Sequence, residues 1–358
     1  MGDFIYRPLI CPPQLTSKLA WLTPAPYNTV MILVTGAAGF IGSNFVAALA
    51  QRGEREIAVC DRRGDDDQWR NLAKYELADI IEPEDLLNYL DEHKGEIDRI
   101  FHMGAISSTT ETDVDLIMDT NFRLSLDLWN WCVEHQVPFI YASSAATYGN
   151  GEAGFDDDGS CDGLAKLQPL NAYGWSKHLF DRRVAQMIAD GARTPPQWAG
   201  LKFFNVYGPN EYHKGGQMSV VPQIYKQIQE TGKARLFQSH HPEYKDGGQM
   251  RDFIWVGDCV DVMLWLYENR GVSGLFNCGT GKARAFKDLA AAVFAALDKE
   301  PNIDYIPTPE NIRDKYQYFT EAKMARLRAA GYNAGSTSLE DGVKCYVQDY
   351  LSADDPYC

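Results

Sequence analysis

Paired cysteines, long apolar runs and a surplus of basic residues are all missing from this chain of 358 residues. Its eight cysteines (Cys11, Cys60, Cys132, Cys161, Cys259, Cys278, Cys345 and Cys358) are scattered without a CxxC pair. That excludes the usual zinc-ligand spacing and a disulfide framework, so no metal is expected and a reducing compartment, the cytoplasm, is the expected home. No apolar run approaches the roughly 18 residues of a membrane helix, so no membrane partner is expected. Lys and Arg number 34 against 49 Asp and Glu, a net charge of −15. Phosphate backbones need cationic surfaces, so no nucleic-acid partner is expected either, and any anionic ligand needs a locally basic pocket. Internal repeats and low-complexity tracts are also absent.

What is present is an ordinary globular composition, 45% apolar and 23% charged, at a length that suits a cofactor domain with a smaller companion. Residues 1–30 carry Pro12, Pro13, Pro24 and Pro26 and lack the basic start and continuous apolar stretch of a secretion signal. They read as an N-terminal extension, with Met31 an alternative start. From Met31, short β-branched or apolar runs at 32–35, 57–60, 99–103, 139–143 and 201–205 alternate with amphipathic stretches at 42–52, 84–93, 112–135 and 173–189. Strands alternating with right-handed helical crossovers predict an α/β fold, a doubly wound parallel sheet of the Rossmann type. After Asn205 the rhythm loosens into loops rich in Gly, His and Gln. The expected division is a dinucleotide-binding domain over 31–205, with 251–262 returning to it. A smaller mixed α/β substrate lobe is expected over 206–250 and 263–358.

MILVTGAAGFIGSNF places Gly36, Gly39 and Gly42 after an apolar strand and at the opening of a helix. The first permits a tight turn, the second a close approach of backbone to a pyrophosphate, and the third close helix–strand packing. The helix start offers free N–H groups to phosphate. About 20 residues on, Asp61 stands where an acidic side chain binds ribose hydroxyls, which argues for NAD. Arg62 and Arg63 follow it and suit a 2′-phosphate, so NADP is the expected cofactor and NAD the alternative. DRRGDDD also reads as a solvated cluster that balances its own charges.

IYASSAATYG ends a strand with Ser143 and Ser144, and NAYGWSK follows with Tyr173 and Lys177. Four apart on a helix, these two share a face. An ammonium beside a phenol favours the phenolate and brings it toward working pH, while a serine hydroxyl holds the substrate oxygen. With 19 tyrosines in the chain, YxxxK alone is worth little, since about one chance match is expected. Its place after the glycine loop, the acidic strand end and the serine strand is what gives it weight. Arg251 is a fixed cation of the kind an anionic ligand needs in an acidic protein; an ion pair with Asp252 or Asp258 is the other reading.

These motifs resemble the nucleotide-sugar epimerases of the extended short-chain dehydrogenase/reductase class, the NAD-dependent epimerase/dehydratase family. FHMGAISSTTETD, FFNVYGPNEYHKG, RDFIWVGD, FNCGTGKA and KYQYFT look like the heptose 6-epimerases within it, over a span from Met31 to near Tyr350. The resemblance implies an ADP-heptose substrate inverted at C6 and a homo-oligomer. It makes Tyr173 one acid/base oriented by Lys177, Lys214 the second, and Ser144 the partner of the reacting hydroxyl. For the cofactor it implies contacts from Phe40, Ile41, Met103, Gly104, Ala105, Ser107 and Val206, with Asp79 and Ile80 edging the adenine. For the substrate it implies Asn205, Phe237, Gln238, Ser239, His240, Arg251 and Tyr316. Three positions depart from the pattern. Gly216 and Gln223 replace a serine and a histidine of the substrate pocket, and Thr120 replaces a cofactor-touching asparagine. The rivals are a 4-epimerase or reductase of the class, and a non-catalytic dinucleotide-binding regulator. A dehydratase is disfavoured because Ser144 is followed by Ala145, Ala146 and Thr147 rather than an acidic pair.

Overall fold

The computed structural model describes residues 30–62, 67–313 and 317–358. Arg63, Tyr316 and residues 1–29 of the extension lie outside the described residues. The strands of the first half are β1 (Met31–Thr35), β2 (Ile57–Cys60), β3 (Asp79–Ile81), β4 (Ile97–His102), β5 (Phe139–Ser144) and β6 (Trp198–Phe203). They join a later strand, Gly274–Cys278, in one seven-stranded sheet ordered Gly274–Cys278, β6, β5, β4, β1, β2, β3, with every pairing parallel. Successive residues point to opposite faces and both faces are buried: Ile32 and Val34 enter one apolar cluster, Leu33 the other. That is why the strands read as continuous apolar runs.

Helices cover both faces. They include α1 (Phe40–Gln51), α2 (Leu86–Glu92), and a long stretch of α3 (Val114–Ile117), a π-helical turn (Met118–Arg123) and α4 (Leu124–His135). After α5 (Cys161–Ala165) comes α6 (Ala172–Ala189), the helix of Tyr173 and Lys177. The strand order reverses between β1 and β4, and ligands of such folds bind in the crevice at the carboxyl ends of that pair.

Beyond β6 the chain builds smaller pairings. β7 (Asn205–Tyr207) lies parallel to β10 (Phe253–Trp255), β8 (Ala234–Phe237) parallel to Ile303–Ile306, and β9 (Met250–Arg251) antiparallel to Arg284–Ala285. The seventh sheet strand, Gly274–Cys278, comes from the stretch that the sequence reading assigns to the substrate lobe. All five of its residues are buried, so it lacks the polar alternation that marks a half-buried strand. Among the described residues no helix is long and apolar enough to cross a membrane.

Candidate functional site

At the sheet's switch point, Gly36 (φ 65°) lies against Gly104: a Cβ on Gly36 would sit 2.4 Å from the Gly104 N. The loops after β1 and β4 therefore touch backbone to backbone, which only glycine permits there. Helix α1 starts after Gly39 without a side-chain cap, so the N–H groups of its first turn, at Phe40, Ile41 and Gly42, are free for an anion. Met103, Ala105 and Ser107 continue the β4 loop beside Gly104, and Asp79 and Ile80 stand exposed on β3.

Asp61 ends the neighbouring strand and turns into the glycine loop. Its Oδ2 accepts from Ala38 N at 2.9 Å and Gly39 N at 3.2 Å, and its Oδ1 from Arg62 N at 2.8 Å. Burial raises its pKa against the pull of these donors. Arg62 is exposed and pairs with Glu84.

A buried polar chain runs from this loop to α6. Thr35 Oγ1 lies 2.7 Å from His102 Nδ1, and His102 Nε2 lies 2.9 Å from Ser125 Oγ. Ser125 donates to Asn121 O at 2.6 Å, so it must accept from His102, which fixes the imidazole as the Nε2–H tautomer and Thr35 as donor to Nδ1. Burial, with the charge of Lys177, pushes the His102 pKa down to about 3, so the ring stays neutral. Asn121 in turn accepts from Ile106 N at 2.8 Å and donates to Ser176 Oγ at 3.1 Å, and Ser176 donates to Tyr173 O at 2.7 Å. Thr120 is the position expected at the cofactor, yet it is its neighbour Asn121 that enters this polar chain. The π-helical turn of 118–123 places Asn121 fully inside and leaves Thr120 half-exposed. A π turn shifts the helical register locally, and 3.6-residue periodicity cannot reveal that.

Ser144 and Tyr173 are brought together by close packing. Asn171 caps α6 by accepting from Gly174 N at 2.8 Å, and a Cβ on Gly174 would stand 2.7 Å from Ala146 O. The helix start thus presses onto the turn that follows β5. Burial pushes the half-buried Tyr173 phenol up, and a hydrogen bond from the Ser144 hydroxyl pulls it the other way. This corrects the expectation that Lys177 lowers the Tyr173 pKa: in the folded chain dehydration of the phenol dominates. Lys177 is itself buried, its pKa brought down to about 8 by that burial and partly restored by Asp181. Its ammonium makes no hydrogen bond among the described residues. A buried cation without a hydrogen-bond acceptor at the mouth of the dinucleotide crevice fits a polar ligand group, as do the uncapped α1 donors.

Lys214 sits in a 3₁₀ turn (Tyr212–Gln217) that Gly215 reverses with φ 52°. Its half-buried ammonium lies over the Phe40 ring, 5.4 Å from the centroid, at the start of α1. The turn is held by Asn210, which donates to Ser43 Oγ at 3.0 Å, and by Asn71, which donates to Ala38 O at 2.7 Å and Asn210 O at 3.1 Å. The second predicted acid/base is thereby tied to the glycine loop. Val206 is half-buried on β7 and Asn205 exposed there.

Arg251 is buried on β9 and donates to Met250 O at 2.9 Å and to Gln317 O, with its guanidinium over Phe286 at 5.6 Å. Asp252 instead accepts from Thr280, Gly281 and Ala322, and Asp258 from Thr337. Phe237, Gln238, Ser239 and His240 run on from β8 beside it, with Ser239 N–H on Asp246 and His240 N–H on Tyr318 OH. Of the departing positions, Gly216 is exposed with open space around it. Gln223 Nε2 donates to Met218 O at 2.7 Å and Ser219 O at 3.3 Å, beside the start of α7 (Val220–Thr231).

Against known protein families, residues 32–279 match the model described as the NAD dependent epimerase/dehydratase family. The chain belongs to that family. Its cofactor is therefore a nicotinamide dinucleotide, and the chain is a sugar-nucleotide epimerase by kind. ADP-L-glycero-D-manno-heptose-6-epimerase of Nitratidesulfovibrio vulgaris strain DP4 is 50% identical over 330 residues, 91% of this chain and 100% of that protein. The protein of the same name from Fusobacterium nucleatum is 48% identical over 335 residues, again 91% and 100%. Among solved structures, the Helicobacter pylori enzyme of that name superposes with a TM-score of 0.73 at 26% identity, over 91% of this chain and 97% of that one. UDP-glucose 4-epimerase of Thermus thermophilus, solved with NAD, gives 0.70 at 24% identity, covering 90% and 100%; at that identity the likeness shows the fold.

Proposed function

We propose that the chain inverts C6 of the heptose in ADP-D-glycero-D-manno-heptose, giving the L-glycero epimer through a transient 6-ketone. What supports this reading is that two groups able to transfer a proton stand at the loops around the glycine turn: Tyr173, hydrogen-bonded to Ser144 after β5, and Lys214, over Phe40 at the start of α1. A bound nicotinamide supplies the hydride acceptor and donor. Tyr173 and Lys214 move the proton at the C6 oxygen, one for each orientation of that oxygen, while Ser144 holds the hydroxyl and Lys177 orients the site. Arg251 meets the diphosphate, with Asn205, Phe237, Gln238, Ser239, His240 and Tyr316 around the sugar nucleotide. The 31–205 unit with 251–262 and the Gly274–Cys278 strand binds the cofactor, and the remainder forms the substrate lobe.

The cofactor is proposed to be NADP. Asp61 spends both carboxylate oxygens on backbone donors, and exposed Arg62 has a solvent-screened partner in Glu84, which a 2′-phosphate displaces. We further read the protein as a cytoplasmic homo-oligomer. The described cysteines are free thiols, and Val114, Leu116 and Trp175 expose apolar side chains on adjacent helices.

The deciding experiment identifies by mass the dinucleotide released on denaturing the purified protein, then assays ADP-, UDP- and GDP-sugars for epimerisation. Released NADP and turnover of ADP-heptose alone support the reading. NAD alone makes Asp61 the governing residue, and turnover of a UDP-hexose at C4 replaces the substrate assignment.

A further inference from the structure

Glu211 immediately precedes the turn that presents Lys214, and its backbone carbonyl accepts from Lys214 N at 3.0 Å. Its side chain is fully buried. An isolated carboxylate in such a place costs several kcal/mol unless its oxygens are satisfied. Here they are: Ser219 donates through its backbone N–H to one oxygen and through its hydroxyl to the other at 2.7 Å, and Tyr346 OH donates at 3.1 Å. Ser219 precedes α7, and Tyr346 opens the π-helical turn Tyr346–Leu351 near the end of the chain. Three donors from two separate elements thus fix the carboxylate beside Lys214, and it cannot swing out.

No direct ion pair joins Glu211 to a cation among the described residues. Burial raises the Glu211 pKa, the Ser219 hydrogen bonds and the charge of Lys214 pull it back down, and Glu211 is the charged group that acts back on the Lys214 ammonium. Burial alone drives Lys214 toward its neutral form; the fixed carboxylate restores the charged one. Charged groups near this turn from other elements are paired with one another, Arg70 with Asp67 and Lys74 with Asp355, and among the described residues Glu211 is the charge that acts on Lys214. Burial raises the phenols of Tyr212 and Tyr346 and takes the Cys358 thiol to about 12, leaving them neutral, and His213 Nδ1 faces the neutral amide of Asn71 at 3.4 Å. Phe40 offers the ammonium a ring face and no charge.

We infer that Glu211 is a positioning residue for the reaction, holding Lys214 over the cofactor loop in a state from which it both gives and takes a proton. The inference rests on Lys214 being the second acid/base. A residue that must act as acid in one half-reaction and base in the other needs its two protonation states close in free energy. A half-buried lysine without a neighbouring anion is biased to one of them.

The test is a titration read independently of turnover. In the cofactor-loaded full chain, reductively ¹³C-methylated lysines are followed by NMR, with the Lys214 signal assigned by its loss in Lys214→Arg. Glu211→Gln keeps the size of the side chain and removes its charge. The Lys214 midpoint is expected to fall by about one pH unit, the low end for an opposite charge at short range, and the limb of the kcat profile that reports Lys214 moves with it. Coupling is mutual, so it is also read in Lys214→Met, where the carboxylate is intact: the ¹³C-labelled Glu211 carboxyl then titrates at higher pH than in the parent. Unmoved midpoints in both variants overturn the inference. Should Lys214→Met epimerise at full rate, the acid/base reading falls, whatever the two midpoints show.

Discussion

Lys202 on β6 and Asp181 on α6 form an ion pair of 2.8 Å in which neither side chain has any exposure. Asp181 also accepts from Ser143 Oγ at 2.7 Å and Tyr141 OH at 3.1 Å. Lys202 donates to Thr147 Oγ1 at 2.7 Å, and Thr147 donates to Ser144 O at 2.8 Å. The pair therefore ties the strand end that carries Ser144 to the helix that carries Tyr173 and Lys177.

Removing one member of a buried pair leaves an uncompensated charge, at a cost of about 3–5 kcal/mol. Lys202→Met is expected to lose stability on that scale in urea unfolding, and adding Asp181→Leu recovers most of it. A single mutant as stable as the parent would show that water reaches Asp181 and that the pair is not the tie described here.

Lys177 makes the opposite prediction. Its folded pKa, about 8, lies below the ordinary 10.5 because of burial, so the folded state disfavours its charge. Below about pH 8 both folded and unfolded chains carry the proton and the full penalty applies, on the order of 3 kcal/mol. Between about 8 and 10.5 the folded chain sheds the proton first and stability rises with pH. Lys177→Met should accordingly unfold at higher urea than the parent at pH 7 while losing activity, the gain shrinking to nothing by about pH 10.5. A destabilised Lys177→Met across that range refutes it.

Much of this site is legible in the sequence because its parts lie at strand ends. Gly36, Asp61 and Ser144 stand at the ends of apolar runs whose bounds announce them, and the parallel sheet brings those ends to one edge; Tyr173 is announced instead by its YxxxK spacing at the start of α6. Residues set by long-range packing stay hidden. Asn121 lies inside only because a π turn rotates it in, the fully buried Gly274–Cys278 strand shows no alternation, and Glu211 reads as one more charge in a loop. Gln223, a departure from the family pattern, has its amide N–H groups on the carbonyls of Met218 and Ser219, which the sequence does not announce. The raised pKa of Tyr173 is likewise a matter of burial, which a YxxxK spacing does not contain.

Arg251 spends its guanidinium on carbonyls, not on Asp252 or Asp258, so it keeps its charge uncancelled by those neighbours. Arg251→Ala should weaken nucleotide-sugar binding by about 1.5–3 kcal/mol, roughly ten- to a hundredfold in Kd, with cofactor retention unchanged; calorimetry on the cofactor-loaded protein measures both. Unaltered affinity with a lowered Tm would return Arg251 to a purely structural task.

Tyr173→Phe and Lys214→Met are each expected to abolish net epimerisation, while each single mutant still exchanges hydride with one of the two epimers. The reasoning is stereochemical. A ketone that presents opposite faces to one nicotinamide must place its oxygen in two positions, and each position needs its own proton donor. Tyr173 enters from α6, beside Ser144, and Lys214 from the turn over Phe40, so deleting one donor silences one half-reaction and leaves the other. Each epimer, offered separately to each mutant in single-turnover runs, shows which half survives by the change in nicotinamide absorbance. Product formed by the parent in deuterated water should carry no deuterium at C6, because hydride returned from the nicotinamide never meets solvent. Deuterium at that carbon would mean proton abstraction beside a carbonyl instead, and a fully active Lys214→Met would leave Tyr173 to serve both faces alone.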